Sequence, residues 1–170
     1  MPRILNIVGC KNAGKTRTVE ILVPRLQKLG LKVGTLKHTE HNNFHWDREG
    51  TDTFRHHSAG SEISGIFGRN SFAVDINRPD LKEPLVDEIV KLFYSDVDLV
   101  LVEGCKTHPS LKIEVCRPDY SHAPVVPPSE LLATYGENLF GYAVLHFAYG
   151  REDQIADHIF AHLDRLILIR

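Results

Sequence analysis

Gly9-Cys10-Lys11-Asn12-Ala13-Gly14-Lys15-Thr16, directly behind the apolar run Ile4-Leu5-Asn6-Ile7-Val8, decides how this 170-residue chain folds. The octet fits GxxxxGK[ST], the loop that cradles phosphates between a strand and a helix. Its two glycines let the backbone turn successive N–H groups toward phosphate oxygens, where a side chain would obstruct the wrap. Lys15 brings a point charge for the β- and γ-phosphates, and Thr16 brings a hydroxyl for Mg²⁺. The helix that opens there presents its positive end to the same anion. Gly9, Cys10, Lys11, Asn12, Ala13, Gly14, Lys15 and Thr16 are thus the expected nucleotide-binding residues, with Lys15 also cast as catalytic.

Strands and helices alternate beyond this loop. Val19, Leu22, Val23, Leu26 and Leu29 recur at helical spacing, which predicts a helix over 16–29, kinked at Pro24 and stopped by Gly30. Residues 31–37 read as a strand, 39–50 as a polar loop, and 52–59 as a short helix. Residues 61–68 and 71–76 read as a hairpin turning at Arg69-Asn70. Asp80 is placed to cap a helix carrying Leu85, Val86, Ile89, Val90, Leu92 and Phe93. The continuous apolar run 97–102, with the one acid Asp98, suits a parallel strand covered on both faces, and it ends in Glu103-Gly104. Further strands are expected at 111–116 and 142–147, before a last helix at 152–163 with Ile155, Ala156, Ile159, Phe160 and Leu163 facing inward. The fold class is α/β: a three-layer P-loop NTPase fold with a mostly parallel sheet flanked by helices, plus a β-hairpin extension. No linker or repeat divides it, so residues 1–170 are expected to form a single nucleotide-binding domain.

A formal net charge of −2 argues against a general nucleic-acid binder, which needs a clustered basic surface. No apolar stretch is long enough to span a membrane, and the first strand starts almost at once, so neither membrane insertion nor export is expected. Cys10, Cys105 and Cys116 are odd in number and lack CxxC spacing, which points to reduced thiols and a cytoplasmic setting.

Four segments, GCKNAGKT, LKHTEHNNFHWD, GTDTFRHHSAGS and DLVLVEGCK, in this order and with these gaps, resemble the molybdopterin-guanine dinucleotide biosynthesis protein B (MobB) family. The similarity runs from the first strand to about Val115 and fades over the last third. Lys37-His38-Thr39, the Gly50-x-Asp52-Thr53-x-Arg55 element and Val102-Glu103-Gly104 make it more specific than the P-loop alone. The resemblance implies binding of GTP with Mg²⁺, slow GTP hydrolysis and homodimerisation. It also implies assistance to the guanylyltransferase that attaches GMP to molybdopterin.

Mg²⁺ on a triphosphate takes one or two hard oxygens from protein and keeps waters for the rest, a requirement Thr16 and Glu103 meet. Likeness to the VEG segment of dethiobiotin synthetase favours Glu103 as the metal ligand over Asp98, which reads equally as a capping acid. Two readings stay open for Asp47: a catalytic carboxylate reaching the metal or the attacking water, or a solvated loop acid. Lys37 and Arg55 are candidates for neutralising nucleotide phosphate or receiving a second anion such as the phosphate of molybdopterin. Arg55 reads equally as surface charge.

Cys10 occupies the place where relatives of this P-loop class often carry a signature lysine, and no arginine or lysine stands out to stabilise a transition state, so weak turnover is expected. Guanine specificity rests on the resemblance, since Asn77-Arg78-Pro79-Asp80 spells an NKxD-like string before the VEG strand and not after it. His38, His41, His45, His56 and His57 match no closed tetrahedral metal site and read as a polar loop. Cys10 and Cys105 read as small residues in tight loops. The Ser61 to Ile76 hairpin is the candidate dimer contact. The competing function is a small-molecule kinase or ligase of similar fold with fast phosphoryl transfer to an acceptor.

Overall fold

The apolar run before the P-loop forms β1 (Arg3–Val8), buried from Ile4 to Val8 at the centre of a seven-stranded sheet. The computed structural model describes residues 1–39, 47–76 and 85–169, which divide into two units, Met1–Thr39 with Leu85–Arg170 and Glu40–Pro84.

In the first unit β1 leads through the P-loop into α1 (Lys15–Lys28) and then to β2 (Val33–Lys37). After the second unit come α3 (Val86–Phe93), β5 (Leu99–Glu103), β6 (Lys112–Cys116), β7 (Leu131–Gly136), β8 (His146–Phe147), α4 (Glu152–Ala161) and β9 (Ile167–Leu168). The sheet order is β2-β5-β1-β6-β7-β8, parallel throughout, with β9 pairing antiparallel to the start of β1. Strand residues alternate between faces. Leu5 and Ile7 pack with Leu22 and Leu26 of α1 and Ile155, Ala156 and Ile159 of α4. Ile4, Val100 and Val102 pack on the opposite face with Val90 of α3. This is the expected α/β architecture, with helices on both sides of a mostly parallel sheet.

The helix α1 runs unbroken through Pro24 and ends as predicted. Gly30 N donates to Gln27 O at 3.0 Å and Leu31 N to Leu26 O at 3.2 Å, the paired bonds of a Schellman stop. In the second unit, α2 (Asp52–Ser58) is capped by the Thr51 hydroxyl, which accepts from Phe54 N. β3 (Ile63–Phe67) and β4 (Phe72–Ile76) form a separate antiparallel hairpin closed by Gly68 N donating to Ser71 O at 2.8 Å.

Several boundaries differ from the sequence reading. The helix α3 starts at Val86 with Leu85 as its N-cap residue, and Asp80 lies outside the described residues. Leu92, Phe93 and Phe160 are exposed and take no part in the core. The strand expected over 142–147 shrinks to two residues, because only His146 and Phe147 pair with β7. Neither β7 nor β9 was expected. β7 is buried along its whole length, so it shows no alternation of polar and apolar residues.

Candidate functional site

The strand β1 delivers the chain to its turn at Gly9, where φ is +151° and a Cβ would sit 2.7 Å from Val115 O on β6. A side chain there must push that backbone aside. Asn12 (φ 63°) and Gly14 (φ 102°) also take positive φ, and asparagine is one of the few side chains that tolerate it. Gly14 is the N-cap residue of α1, so the helix's free N–H groups open onto the loop. Lys15 Nζ folds back onto the loop, donating to Gly9 O at 3.1 Å and Cys10 O at 2.8 Å. Burial holds the Lys15 ammonium below its usual pKa; Glu103 opposes that shift, while Lys106 and Lys37 reinforce it.

Glu103 ends β5 between two neighbours, with Ile7 of β1 on one side and Lys37 of β2 on the other. Its Oε1 accepts from Thr16 Oγ1 at 2.9 Å and lies 3.5 Å from Lys37 Nζ. Thr16, Glu20, Thr35, Lys37 and Glu103 line part of a cleft of about 490 Å³ on this edge of the sheet. A hydroxyl and a carboxylate oxygen side by side, next to a loop of free N–H groups, are the hard donors that a triphosphate-bound Mg²⁺ takes from protein. The residues present fit that ion. Asp98, at the other end of the strand, accepts from Lys32 N at 2.8 Å and caps a turn, as its alternative reading had it.

The structure therefore brings Gly9 to Thr16, Lys37 and Glu103 together in the first unit. Asp47 and Arg55 belong to the second. Asp47 accepts from the Thr53 hydroxyl and, at 2.7 Å, from Arg48 N. Hydrogen bonds from Thr53, then Thr51, with the Arg48 amide, hold its carboxyl below the ordinary range. The Arg55 guanidinium lies 3.9 Å from Asp52, both well exposed. A second cavity, about 660 Å³, is lined in this unit by Asp47, Arg48, Thr53, Ile66, Val74 and Asp75. It is larger than the cleft beside Thr16, but Asp47, Asp52 and Asp75 put three carboxylates on its lining, so phosphate chemistry favours the smaller one. His41, His45 and Asn77 to Asp80 lie outside the described residues. Among the described residues no three metal-binding side chains converge, and the three cysteines are free.

Sequence reasoning passed over two buried charges on β6. Lys112 is fully buried, its Nζ donating to His108 O at 2.7 Å, Ser110 O at 3.0 Å and Glu130 Oε2 at 2.8 Å. Glu114 accepts from Val125 N at 3.0 Å and from the Tyr142 hydroxyl at 3.1 Å, and burial raises its pKa. Burial also pushes the neighbouring Cys116 thiol up to about 12, which leaves it an unreactive thiol.

Residues 4–136 match the family model for molybdopterin guanine dinucleotide synthesis protein B. The chain is 35% identical over 111 residues to a molybdopterin-guanine dinucleotide biosynthesis adapter protein of Haemophilus influenzae, covering 65% of this chain and 61% of that protein. That alignment spans less than two thirds of the relative's length. The Escherichia coli protein of the same description is 29% identical over 122 residues, 71% of this chain and 69% of its own. A crystal structure of molybdopterin-guanine biosynthesis protein B superposes with a TM-score of 0.68 at 24% identity, covering 95% of this chain and 99% of that one. A MobB homologue from Bacillus stearothermophilus gives 0.63 at 20%, over 95% and 97% of the two chains. At these identities the structural likeness shows the fold alone.

Proposed function

The chain belongs to the molybdopterin guanine dinucleotide synthesis protein B family, and from that premise we propose that it binds Mg·GTP at the Gly9 to Thr16 loop. In this reading it is a cytoplasmic adapter that assists the guanylyltransferase joining GMP to molybdopterin. One observation carries the nucleotide part: the Thr16 hydroxyl and the Glu103 carboxylate meet at 2.9 Å beside a positive-φ loop whose own lysine is folded onto its carbonyls. A polyphosphate would draw the ammonium off Gly9 O and Cys10 O, because charged phosphate oxygens are stronger acceptors than neutral carbonyls. Thr16 and Glu103 would hold Mg²⁺, which when bound would supply charge neutralisation for the phosphates. Lys37 beside Glu103 would then face the phosphates, as an added cation or toward a second anionic ligand such as the phosphate of molybdopterin.

Slow turnover is part of the proposal. Phosphoryl transfer needs a group that positions water, and the Asp47 carboxylate is engaged within its own unit by Thr53 of α2 and the Arg48 amide. Homodimerisation is part of the proposal. Ile63, Phe67, Phe72, Val74 and Ile76 share one face of the hairpin and are all exposed, more apolar surface than a monomeric strand pair usually leaves bare. Light scattering on wild type and on Phe67→Asp/Phe72→Asp tests this, with a dimer expected for the first and a monomer for the second.

The deciding experiment is calorimetric titration with GTP, GDP and ATP, with and without Mg²⁺, on wild type and Lys15→Ala. The proposal expects Mg-dependent GTP binding that Lys15→Ala removes, and negligible turnover. Rapid nucleotide consumption stimulated by a small acceptor would overturn it in favour of a kinase or ligase.

A further inference from the structure

The β3–β4 hairpin of the second unit has another face besides its exposed apolar one. Directly opposed residues of an antiparallel pair point the same way, so Ser64 with Asp75 and Ile66 with Ala73 share the face opposite to Ile63, Phe67, Phe72 and Ile76. This face is turned toward α2, since Asp75 Oδ2 lies 3.6 Å from His57 Nδ1. Ile66, Ala73 and Asp75 line the cavity of about 660 Å³ from the hairpin, while Asp47, Asp52 and Thr53 line it from the segment that opens α2. That segment is tied down. Thr51 Oγ1 donates to Arg48 O at 2.9 Å and accepts from Phe54 N at 3.2 Å, and Asp47 takes the Thr53 hydroxyl and Arg48 N. A fixed cavity of this size suits a small organic ligand.

Two polar groups on this hairpin face are unspent. The Ser64 hydroxyl, directly across from Asp75, is buried and has no hydrogen-bond partner among the described residues. His57 at 3.6 Å is beyond hydrogen-bond range of Asp75, whose carboxylate oxygens keep their lone pairs. Buried polar groups in a finished structure are nearly always paired, so an orphan beside an open cavity marks where a further polar group comes to rest. The lining says which kind. Three carboxylates against the cation Arg48 disfavour an anion, and among the described residues no three metal-binding side chains converge. Ile66 and Ala73 offer apolar surface to a ring, and a carboxylate beside it takes two adjacent N–H donors in bidentate fashion. A 2-amino-4-oxopyrimidine edge presents that pair, and its C4 oxygen is the kind of acceptor that Ser64 lacks. We propose that this cavity binds a heterocycle carrying the 2-amino-4-oxopyrimidine edge that pterins and guanine share, with Asp75 accepting its two N–H groups. The preference for that edge comes from the cavity, and only the relevance of a pterin rests on the adapter reading above.

Titration of 6-hydroxymethylpterin, guanosine and lumazine into wild type, Asp75→Asn and Lys15→Ala tests it. Lumazine carries a carbonyl in place of the 2-amino group, so it should bind wild type roughly tenfold or more weakly than the pterin. This comparison needs no variant. Asp75→Asn should weaken the pterin by roughly tenfold or more and narrow its advantage over lumazine, because an amide can donate to the C2 oxygen that a carboxylate repels. A merely structural role for Asp75 would weaken both ligands alike. Lys15→Ala should leave pterin binding unchanged. Whichever of pterin and guanosine binds more tightly with this Asp75 dependence identifies the source of the edge. Neither binding to wild type, or a pterin affinity in Asp75→Asn within about twofold of wild type, would overturn the inference. Mg·GTP binding to that same wild type would leave the nucleotide reading intact. Asp75-dependent pterin binding by a protein that takes no GTP would do the reverse.

Discussion

Replacing Lys112 by methionine isolates the three hydrogen bonds of its buried ammonium. The ammonium meets three acceptors within 3.0 Å, two of them carbonyls of a buried segment and the third the Glu130 carboxylate, whose side chain is 42% exposed. Methionine keeps much of the apolar stem and removes the cost of burying a charge, which offsets part of the loss. What remains is a pair of stranded buried carbonyls, each costing about 1–3 kcal/mol. The full penalty of about 3–5 kcal/mol for an orphaned buried ion does not apply, because Glu130 can turn to water. Lys112→Met should therefore cost about 2–4 kcal/mol. In urea, with slopes of about 1–3 kcal/mol per molar, the midpoint should drop by roughly 1–2 M while the slope stays fixed. Glu130→Gln alone should cost about 1–3 kcal/mol, because it leaves the fully buried Lys112 ammonium without a counter-charge while the two carbonyls still hold it. A loss below about 0.5 kcal/mol in Lys112→Met would refute the reasoning, for it would mean that water or a shifted backbone satisfies those carbonyls without the lysine.

Burial, the neighbouring His162 and Arg165 hold His158 below its ordinary 6.5, against a raising bond to the Leu132 backbone, with the Phe147 ring packed alongside. The unfolded chain then binds the proton more readily than the fold. Stability present above 6.5 should be lost as pH falls through the folded value. His158→Gln should flatten that slope in urea midpoints taken between pH 7.5 and 5.5, and an unchanged slope would count against it. Asp47 is depressed, so its contribution is present above the ordinary 3.8 and disappears as pH falls through the folded value. Thr53→Val should move the Asp47 carboxyl titration, followed by NMR, up toward 3.8; no movement would remove Thr53 as the cause. Gly9→Ala forces a methyl to within 2.7 Å of Val115 O, so GTP affinity should fall more than tenfold and the thermal midpoint should drop. Wild-type values for both would show that the loop yields easily.

Where short-range chemistry decides the outcome, the sequence already shows it. The P-loop, the Gly30 stop of α1, the both-sided apolar run of β5 and the hairpin turn each follow from a few neighbouring residues. The pairing of Thr16 with Glu103, 87 positions apart, was legible only because both belong to motifs whose resemblance implies a shared metal. Long-range pairing hides the rest. β8 and β9 are two residues each and exist only because β7 and β1 lend them a partner. Lys-Ile-Glu-Val-Cys on β6 alternates like a half-wet strand, yet all five residues are buried, because the contacts to Glu130, Val125 and Tyr142 come from elsewhere in the chain.

Arg3 on β1 pairs with Leu99 on one flank and Leu168 on the other. During vectorial synthesis the strand that becomes the middle of the sheet is made before its partners and waits close to a hundred residues for Leu99. At roughly 5–20 residues per second that is an interval of several seconds or more in which Ile4, Leu5, Ile7 and Val8 emerge sticky and uncovered. Closing such distant pairs also carries a large loop entropy, which slows the last steps of assembly relative to helical folds of equal size. The same burial that gives the phosphate loop its rigid base therefore leaves the nascent polypeptide with a bare apolar strand until its partners are made.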